Sequence, residues 1–469
     1  MVSTYRRAHA AWTVLTAVLL IAQSLSTAPA FADPPAAVPV EPVRPLPALP
    51  PAPGFDPAFY RPAPDRYVEL APGELIAARA VQIATMSVAP LNVDAWQLSY
   101  RSNNSREEAI PAVATVLKPR GYVAGRPLLS FQIPEDSVGD YCAPSYVMQL
   151  GSVPGLLSGQ PLVPAAMAEL VAALQLGWAV VVSDHQGPDS AFAAGPLAGR
   201  ITLDGIRAAE NFEPLELDGT ATKVGLMGYS GGSTPTGHAA ELHRSYAPEL
   251  DIVGVAEGGV SPDMRALVDL ANGNLGAGIV LTGIIGVGRE YPDFAQFLRE
   301  RINPLGQVIL GAKQDLCIAY QSALMPFLNI KGLTTTGADP VLDPVAVATF
   351  DKLRMGKSVP TMPMYIYHSN PDWLLPIGPV NTLVDEYCRD PAARVLYTRD
   401  HFSEHLTMDL VGAPGALLWL RDRFAGIPVA PGCVTNDVGS LLLDPITWQV
   451  WQSAVGANVA ALFGQPIGR

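Results

Sequence analysis

Gly228-Tyr229-Ser230-Gly231-Gly232 sets a serine between glycines, with a short apolar run at 224–227 before it and a helix-compatible stretch to Tyr246 after it. A serine becomes a nucleophile when a sharp strand-to-helix turn holds its hydroxyl out of the sheet. Side chains two positions to either side would collide with the neighbouring strand or helix, which explains Gly228 and Gly232. The Gly231 amide and the helix start behind it are suited to stabilising an oxyanion. The bland alternative is a glycine-rich turn before a helix, in a chain that holds 42 glycines. A serine hydroxyl is also inert at neutral pH without an imidazole, itself oriented by a carboxylate. Seven histidines are available: His9, His185, His238, His243, His368, His401 and His405.

The elements around the turn decide among them. Residues 128–133 read as a buried strand, 164–176 as a helix, 178–183 as a strand and 199–211 as a helix. The serine strand and its helix follow, then strands at 252–256, 361–367 and 394–397 and a closing helix at 406–424. Upstream, 67–118 mixes β-rich alternation, as at 113–117, with polar turns such as 102–105. Strands alternating with helices imply a mostly parallel sheet covered on both faces, with ligands at the carboxyl ends of the strands. With the serine turn, the fold class is an α/β-hydrolase, where the chain order is Ser, then Asp or Glu, then His. His9 falls within the secretory signal, His185 precedes the serine, and His238 and His243 ride its helix. His368 ends the 361–367 strand, in the acid's place. His401 and His405 remain, and spacing favours His405, at the entry of the last helix beside Glu404. Asp372 follows the 361–367 strand in a turn, where a turn-forming Asp is common. Asp385 falls on the next helix.

Composition sets the surroundings. Hydrophobic residues make up 49% and charged ones 16%, which excludes a disordered chain, and the net charge of -13 argues against nucleic acid and against anionic headgroups as partners. Arg6 and Arg7, an apolar run at 10–22 and Ala30-Phe31-Ala32 read as a cleaved secretory signal over 1–32. No Cys sits near the cleavage site to carry a lipid anchor. Export makes Cys142, Cys317, Cys388 and Cys433 a pair of disulfides with three possible connectivities. Residues 33–64, rich in Pro and Ala, read as an extended leader. The strand–helix rhythm stops over 261–357, which reads as an inserted helical cap between core segments 65–260 and 358–433. Within it, 275–287 is apolar and glycine-rich, too short for a membrane span, and suited to close helix packing or an acyl tunnel.

Further motifs share one source. Phe131-Gln132, Glu135-Asp136-Ser137, Cys142-Ala143-Pro144-Ser145-Tyr146, Ser183-Asp184-His185-Gln186-Gly187, Leu203-Asp204-Gly205-Ile206-Arg207-Ala208, Gly228 to Gly232, Tyr246-Ala247-Pro248-Glu249-Leu250 and Glu404-His405-Leu406-Thr407 resemble the secretory lipase family of the lipase A type. The resemblance runs in order from about Asp56 to the C-terminus. It implies Ser230 as nucleophile, His405 as base and Asp372 as acid, with the Asp136 and Gly231 amides as oxyanion hole. It implies disulfides Cys142–Cys317 and Cys388–Cys433 and a C-terminal flap, 434–469, near the entrance. The expected activity is a secreted carboxylic-ester hydrolase, a lipase or esterase, working through an acyl-enzyme without metal or cofactor and in transient contact with a lipid interface. The rivals are an acyltransferase, a serine peptidase and a non-catalytic cell-surface binding protein, the last marked by a broken triad.

Overall fold

Eleven strands make one sheet: β1 (Val40–Glu41), β2 (Leu75–Ala80), β3 (Asp94–Asn103), β4 (Ala109–Lys118), β5 (Leu128–Gln132), β6 (Ala179–Ser183), β7 (Lys223–Tyr229), β8 (Asp251–Gly258), β9 (Met364–Ser369), β10 (Arg394–Asp400) and β11 (Gly432–Val438). Their spatial order is 1-2-3-4-6-5-7-8-9-10-11. Pairing is antiparallel from β2 through β4 to β6 and parallel from β6 to β11. The structure is a computed structural model that describes residues 38–43 and 49–468. The secretory signal over 1–32 therefore lies outside the described residues.

Helices α1 (Leu162–Gln175), α2 (Gly195–Glu210) and α3 (Ser233–Tyr246) link the parallel strands. Between β8 and β9 come α4 (Met264–Ala271), α5 (Ala277–Glu290), α6 (Pro292–Arg301), α7 (Pro304–Ala312) and α8 (Pro344–Leu353). Then α9 (Ile377–Tyr387), α10 (His405–Phe424) and α11 (Pro445–Leu462) complete the chain. Alternation along each strand sorts the two faces. Val224, Leu226, Met364 and Ile366 join the core under α2, α3 and α9, whereas Met227, Tyr229, Tyr365 and Tyr367 join the core under α1, α10 and α11. Gly225 has no side chain because a Cβ there would stand 2.8 Å from Phe424 of α10.

The insert has its own core, in which Met264, Val280, Leu281, Phe294, Phe297 and Phe350 pack together. Glycines let α5 lie close to its neighbours: a Cβ on Gly286 would come 2.3 Å from the Phe192 carbonyl, and one on Gly278 2.5 Å from that of Gln321. Among the described residues no helix is long and apolar enough to cross a membrane. Cys142 bonds to Cys317, tying the segment after β5 to the insert, and Cys388 bonds to Cys433 across 45 residues. Closing the second loop is worth about 4 kcal/mol in the chain-entropy picture.

Two expected boundaries change. The leader is not extended up to residue 64: Val40 and Glu41 pair with Ala78 and Arg79, and Phe59 and Tyr60 are buried. Arg79 stacks 3.9 Å above the Phe59 ring. Several prolines of this stretch open short helical turns, where a missing N–H costs nothing. The C-terminal segment expected as a flap, 434–469, packs on the sheet body. Residues 434–438 belong to the edge strand β11, and α11 packs on α1 and α10.

Candidate active site

Strand β7 ends at Tyr229, and Ser230 takes a left-handed backbone, φ 52°, before α3 begins at Ser233. The flanking glycines are required by contact: a Cβ on Gly228 would meet the Gly232 carbonyl at 2.2 Å, and one on Gly232 the Gln132 carbonyl at 1.9 Å. The strained serine is thus held by close packing of β5, β7 and α3.

Its hydroxyl lies 2.9 Å from His405 Nε2, and His405 Nδ1 lies 2.8 Å from Asp372 Oδ2. Asp372 comes from the turn after β9, as its position after that strand implied. Its Oδ1 accepts the Leu374 and Leu375 amides, each at 2.8 Å, and Ser369 Oγ donates to Oδ2 at 2.9 Å. Burial alone would raise the Asp372 pKa. The hydrogen bond and charge of His405, the Leu375 amide and nearby His368 outweigh it, and the carboxyl sits below its ordinary value. His368 is buried and its pKa is pushed down to about 4 by that burial, so it is neutral. In this form it donates from Nε2 to the Leu375 carbonyl and accepts the Val260 amide at Nδ1, fixing the acid's turn.

His405 is the first residue of α10. Glu404 caps that helix, accepting from the Leu406 and Thr407 amides and from Trp373 Nε1, while Tyr229 Oη donates to the His405 carbonyl at 2.5 Å. Asp400 organises the preceding loop by accepting the Phe402, Ser403 and Leu441 amides. His401 is half-exposed and pairs with Asp437 at 2.7 Å, away from the serine. Asp385 stays on α9 and takes no part in this line.

Asp136, in the turn after β5, also has a left-handed backbone, φ 49°. A Cβ on Gly231 would fall 1.5 Å from its Oδ1, so the two residues expected to form the oxyanion hole are adjacent. Burial pushes the Asp136 carboxyl up to about 7, against the pull of the His405 charge. The turn is tied down on several sides. Ser137 Oγ accepts the Ile318 amide, Gln186 Nε2 donates to the Ser137 carbonyl, and Arg289 of α5 donates to the carbonyls of Val138 (2.6 Å), Asp189 (2.8 Å) and Gln314 (2.5 Å). Sequence reasoning missed Arg289, Asp400, Ser369 and Tyr229. Only Tyr229 carried a signal, its place next to the serine.

In front of Ser230, Gly231 and Asp136 opens a pocket walled by Phe192, Met264, Leu267, Ile279, Val280 and Leu374. Its wall is apolar and comes largely from the insert. No described residue beyond Leu375 lines it.

The profile of a secretory lipase family matches residues 159–432. Lipase A of Arthroderma benhamiae is 36% identical over 91% of this chain and 91% of its own length. The chain belongs to the secretory lipase family. It is accordingly a carboxylic-ester hydrolase on an α/β-hydrolase fold. The crystal structure of Candida antarctica lipase A in its closed state superposes on this lipase with a TM-score of 0.79 at 30% identity, covering 90% of this chain and 99% of that one. A Mycobacterium tuberculosis relative, 34% identical over 82% of this chain and 84% of its own, carries the name of a probable inactive lipase. Membership alone therefore does not assign the catalytic residues.

Proposed function

We propose that this lipase is secreted and hydrolyses long-chain acyl esters, triacylglycerols among them, through an acyl-enzyme on Ser230. The observation that carries the reading is the unbroken line from Ser230 Oγ through His405 to Asp372 at the mouth of an apolar pocket. Ser230 attacks the ester carbonyl while His405 Nε2 takes the hydroxyl proton. Asp372 keeps Nδ1 protonated and stabilises the imidazolium. The amides of Asp136 and Gly231 receive the oxyanion, His405 returns its proton to the leaving alcohol, and water repeats the sequence to release the fatty acid. The acyl chain lies against α4 and α5. A Malassezia globosa relative named a secreted triacylglycerol lipase supports the substrate class. The two disulfides fit an oxidising compartment. Contact with a lipid interface is transient, made while substrate is drawn in.

A fluorophosphonate ester tests the nucleophile. It is expected to leave its phosphoryl group on the peptide containing Ser230, read by mass spectrometry, and labelling at another serine overturns the assignment. Rates for p-nitrophenyl esters of increasing chain length, measured below and above aggregation, test the substrate class. A preference for acetate with no rise above aggregation removes the long-chain reading.

A further inference from the structure

Glu404 is an unusual residue to cap a helix. The side chains that best hold the first amides of a helix are short, those of Asn, Asp, Ser and Thr. Glu404 nonetheless caps α10: its Oε1 accepts the Thr407 amide at 2.7 Å and its Oε2 the Leu406 amide at 3.1 Å, while Thr407 Oγ1 accepts the Glu404 amide in return. The extra methylene has a use that capping does not explain. It carries Oε2 to the indole of Trp373, whose Nε1 donates to it at 2.9 Å. Burial works to raise the Glu404 pKa, but the two amides, the indole and the Thr407 hydroxyl outweigh it and hold the carboxyl below its ordinary value. At neutral pH the indole therefore donates to a carboxylate, a stronger bond than one to a neutral acceptor.

The position of this pair matters more than its strength. Trp373 directly follows the acid Asp372, and Glu404 directly precedes the base His405. Two bonds thus run between the turn after β9 and the entry of α10: His405 Nδ1 to Asp372 Oδ2 at 2.8 Å, and Trp373 Nε1 to Glu404 Oε2 at 2.9 Å. One hydrogen bond fixes a distance and leaves the imidazole free to tilt about it. A second, one residue away on both segments, removes that freedom. The Trp373 ring also stands edge-on to the imidazole, with centroids 6.1 Å apart and planes at 83°. The tilt decides whether Nε2 points at Ser230 Oγ, 2.9 Å away. Neither Trp373 nor Glu404 lines the pocket in front of Ser230, so the two act on the reaction through His405 and not through substrate.

We infer that Trp373 and Glu404 are positioning residues, a second strut between the acid's turn and the base's helix that sets the angle at which His405 faces the nucleophile. The inference rests on the reading of Ser230, His405 and Asp372 above and adds two residues to it.

The test is steady-state hydrolysis of soluble p-nitrophenyl butyrate by variants of the full chain, with melting temperatures measured alongside. Glu404→Ser keeps a good helix cap but cannot reach the indole, and Trp373→Phe keeps an aromatic ring but loses the donor. Each is expected to lower kcat by about 10-fold with KM within about two-fold, because a small displacement of the base is felt in proton transfer. Glu404→Gln, which retains both the reach and an acceptor oxygen, should recover most of kcat. The double variant Trp373→Phe, Glu404→Ser should fall no further than either single one, since both remove the same bond. A normal kcat in Glu404→Ser, additive losses in the double variant, a KM that rises as kcat falls, or losses of kcat that track a lowered melting temperature each overturns the inference. His405→Ala separates it from the triad reading. If that variant stays active, the base assignment fails and the strut with it. A dead His405→Ala beside fully active Glu404→Ser and Trp373→Phe removes the strut alone.

Discussion

The sheet end and the helical insert meet at one pocket but are held together by different physics. At the sheet end nearly every functional group is fixed by directional bonds: Asp372 by Ser369 and two amides, His405 by Asp372 and Tyr229, and the loop before it by Asp400. The insert contributes Met264, Leu267, Ile279 and Val280, side chains that recognise by shape and area. Proton transfer tolerates errors of a fraction of an ångström, whereas burial of an acyl chain has no preferred direction. Damage to the first region should therefore destroy turnover, and damage to the second should redirect it.

The largest expected effect is at the serine. Ser230→Ala should lower kcat by about 10⁶-fold, and His405→Ala should cost about as much, with little further loss in the double variant because the two act as a unit. His401→Ala, which removes a surface partner of Asp437 and of Asn370, should stay within about two-fold, as surface changes usually do. Asp372→Asn should cost about 10⁴-fold by favouring the wrong imidazole tautomer. Steady-state rates on a soluble p-nitrophenyl ester check all five. A dead His401 variant beside a live His405 variant would break the comparison at its base.

The same contrast governs what could be read in advance. The parallel strands were legible because buried strands are continuous apolar runs, and the serine turn because its glycines answer to contacts within a few residues. Spacing favoured His405 over His401 without deciding between them, since both lie between the last parallel strand of the rhythm and the helix that follows it. Only the fold shows one tied to Asp437 and the other opening α10 onto the serine. The cysteine pairing came from resemblance and not from spacing. Residues 33–64 looked extended because proline content hides the two aromatics, Phe59 and Tyr60, that are buried near the end of that stretch. Arg289 was invisible because its partners are mostly backbone carbonyls, which leave no mark on the sequence.

Arg289 crosses from one region to the other, which makes it the sharpest probe of the boundary. It sits on α5, the helix that offers Val280 and Gly283 to the pocket, and holds the carbonyl of Val138, two residues past Asp136. Arg289→Met should lower kcat by about 10- to 100-fold with little change in KM, because a small displacement of the oxyanion donors is felt in the transition state. Arg289→Lys should recover part of the loss. Equal losses in kcat and in thermal stability for both variants would mean that the residue is only a brace.

A smaller effect is expected inside the insert. A Cβ on Gly283 would stand 3.1 Å from the Met264 methyl and 3.4 Å from Ala193, narrowing the pocket without touching the triad. Gly283→Ala should lower kcat/KM for palmitate esters by about 10-fold and leave acetate esters unchanged. If both fell together, the insert would be contributing to the chemistry itself and the division drawn above would fail.

The mildest test uses pH on the whole chain, and its sign follows from buried acids in the sheet body. Burial pushes the carboxyls of Asp184 and Asp409 up to about 7 and that of Glu257 up to about 8; hydrogen bonds from Ser145 to Asp184 and the His405 charge near Asp409 pull back only in part. In the unfolded chain such groups titrate at about 4. The folded state therefore holds more protons between these values, so their contribution to stability is complete below about 4 and is lost as pH rises to their folded pKa values. Asp372 acts oppositely, contributing above the unfolded value and losing that contribution as pH falls through its own lowered one. The melting temperature should consequently be highest under mildly acidic conditions and decline from pH 5 to pH 8 at constant ionic strength. Asp184→Asn, which keeps the hydrogen-bonding shape beside Ser145 but cannot ionise, should flatten part of that decline. A melting temperature that rises across the interval would mean that these carboxyls are solvated in the native state, and that the sheet end is less tightly closed than its bonding implies.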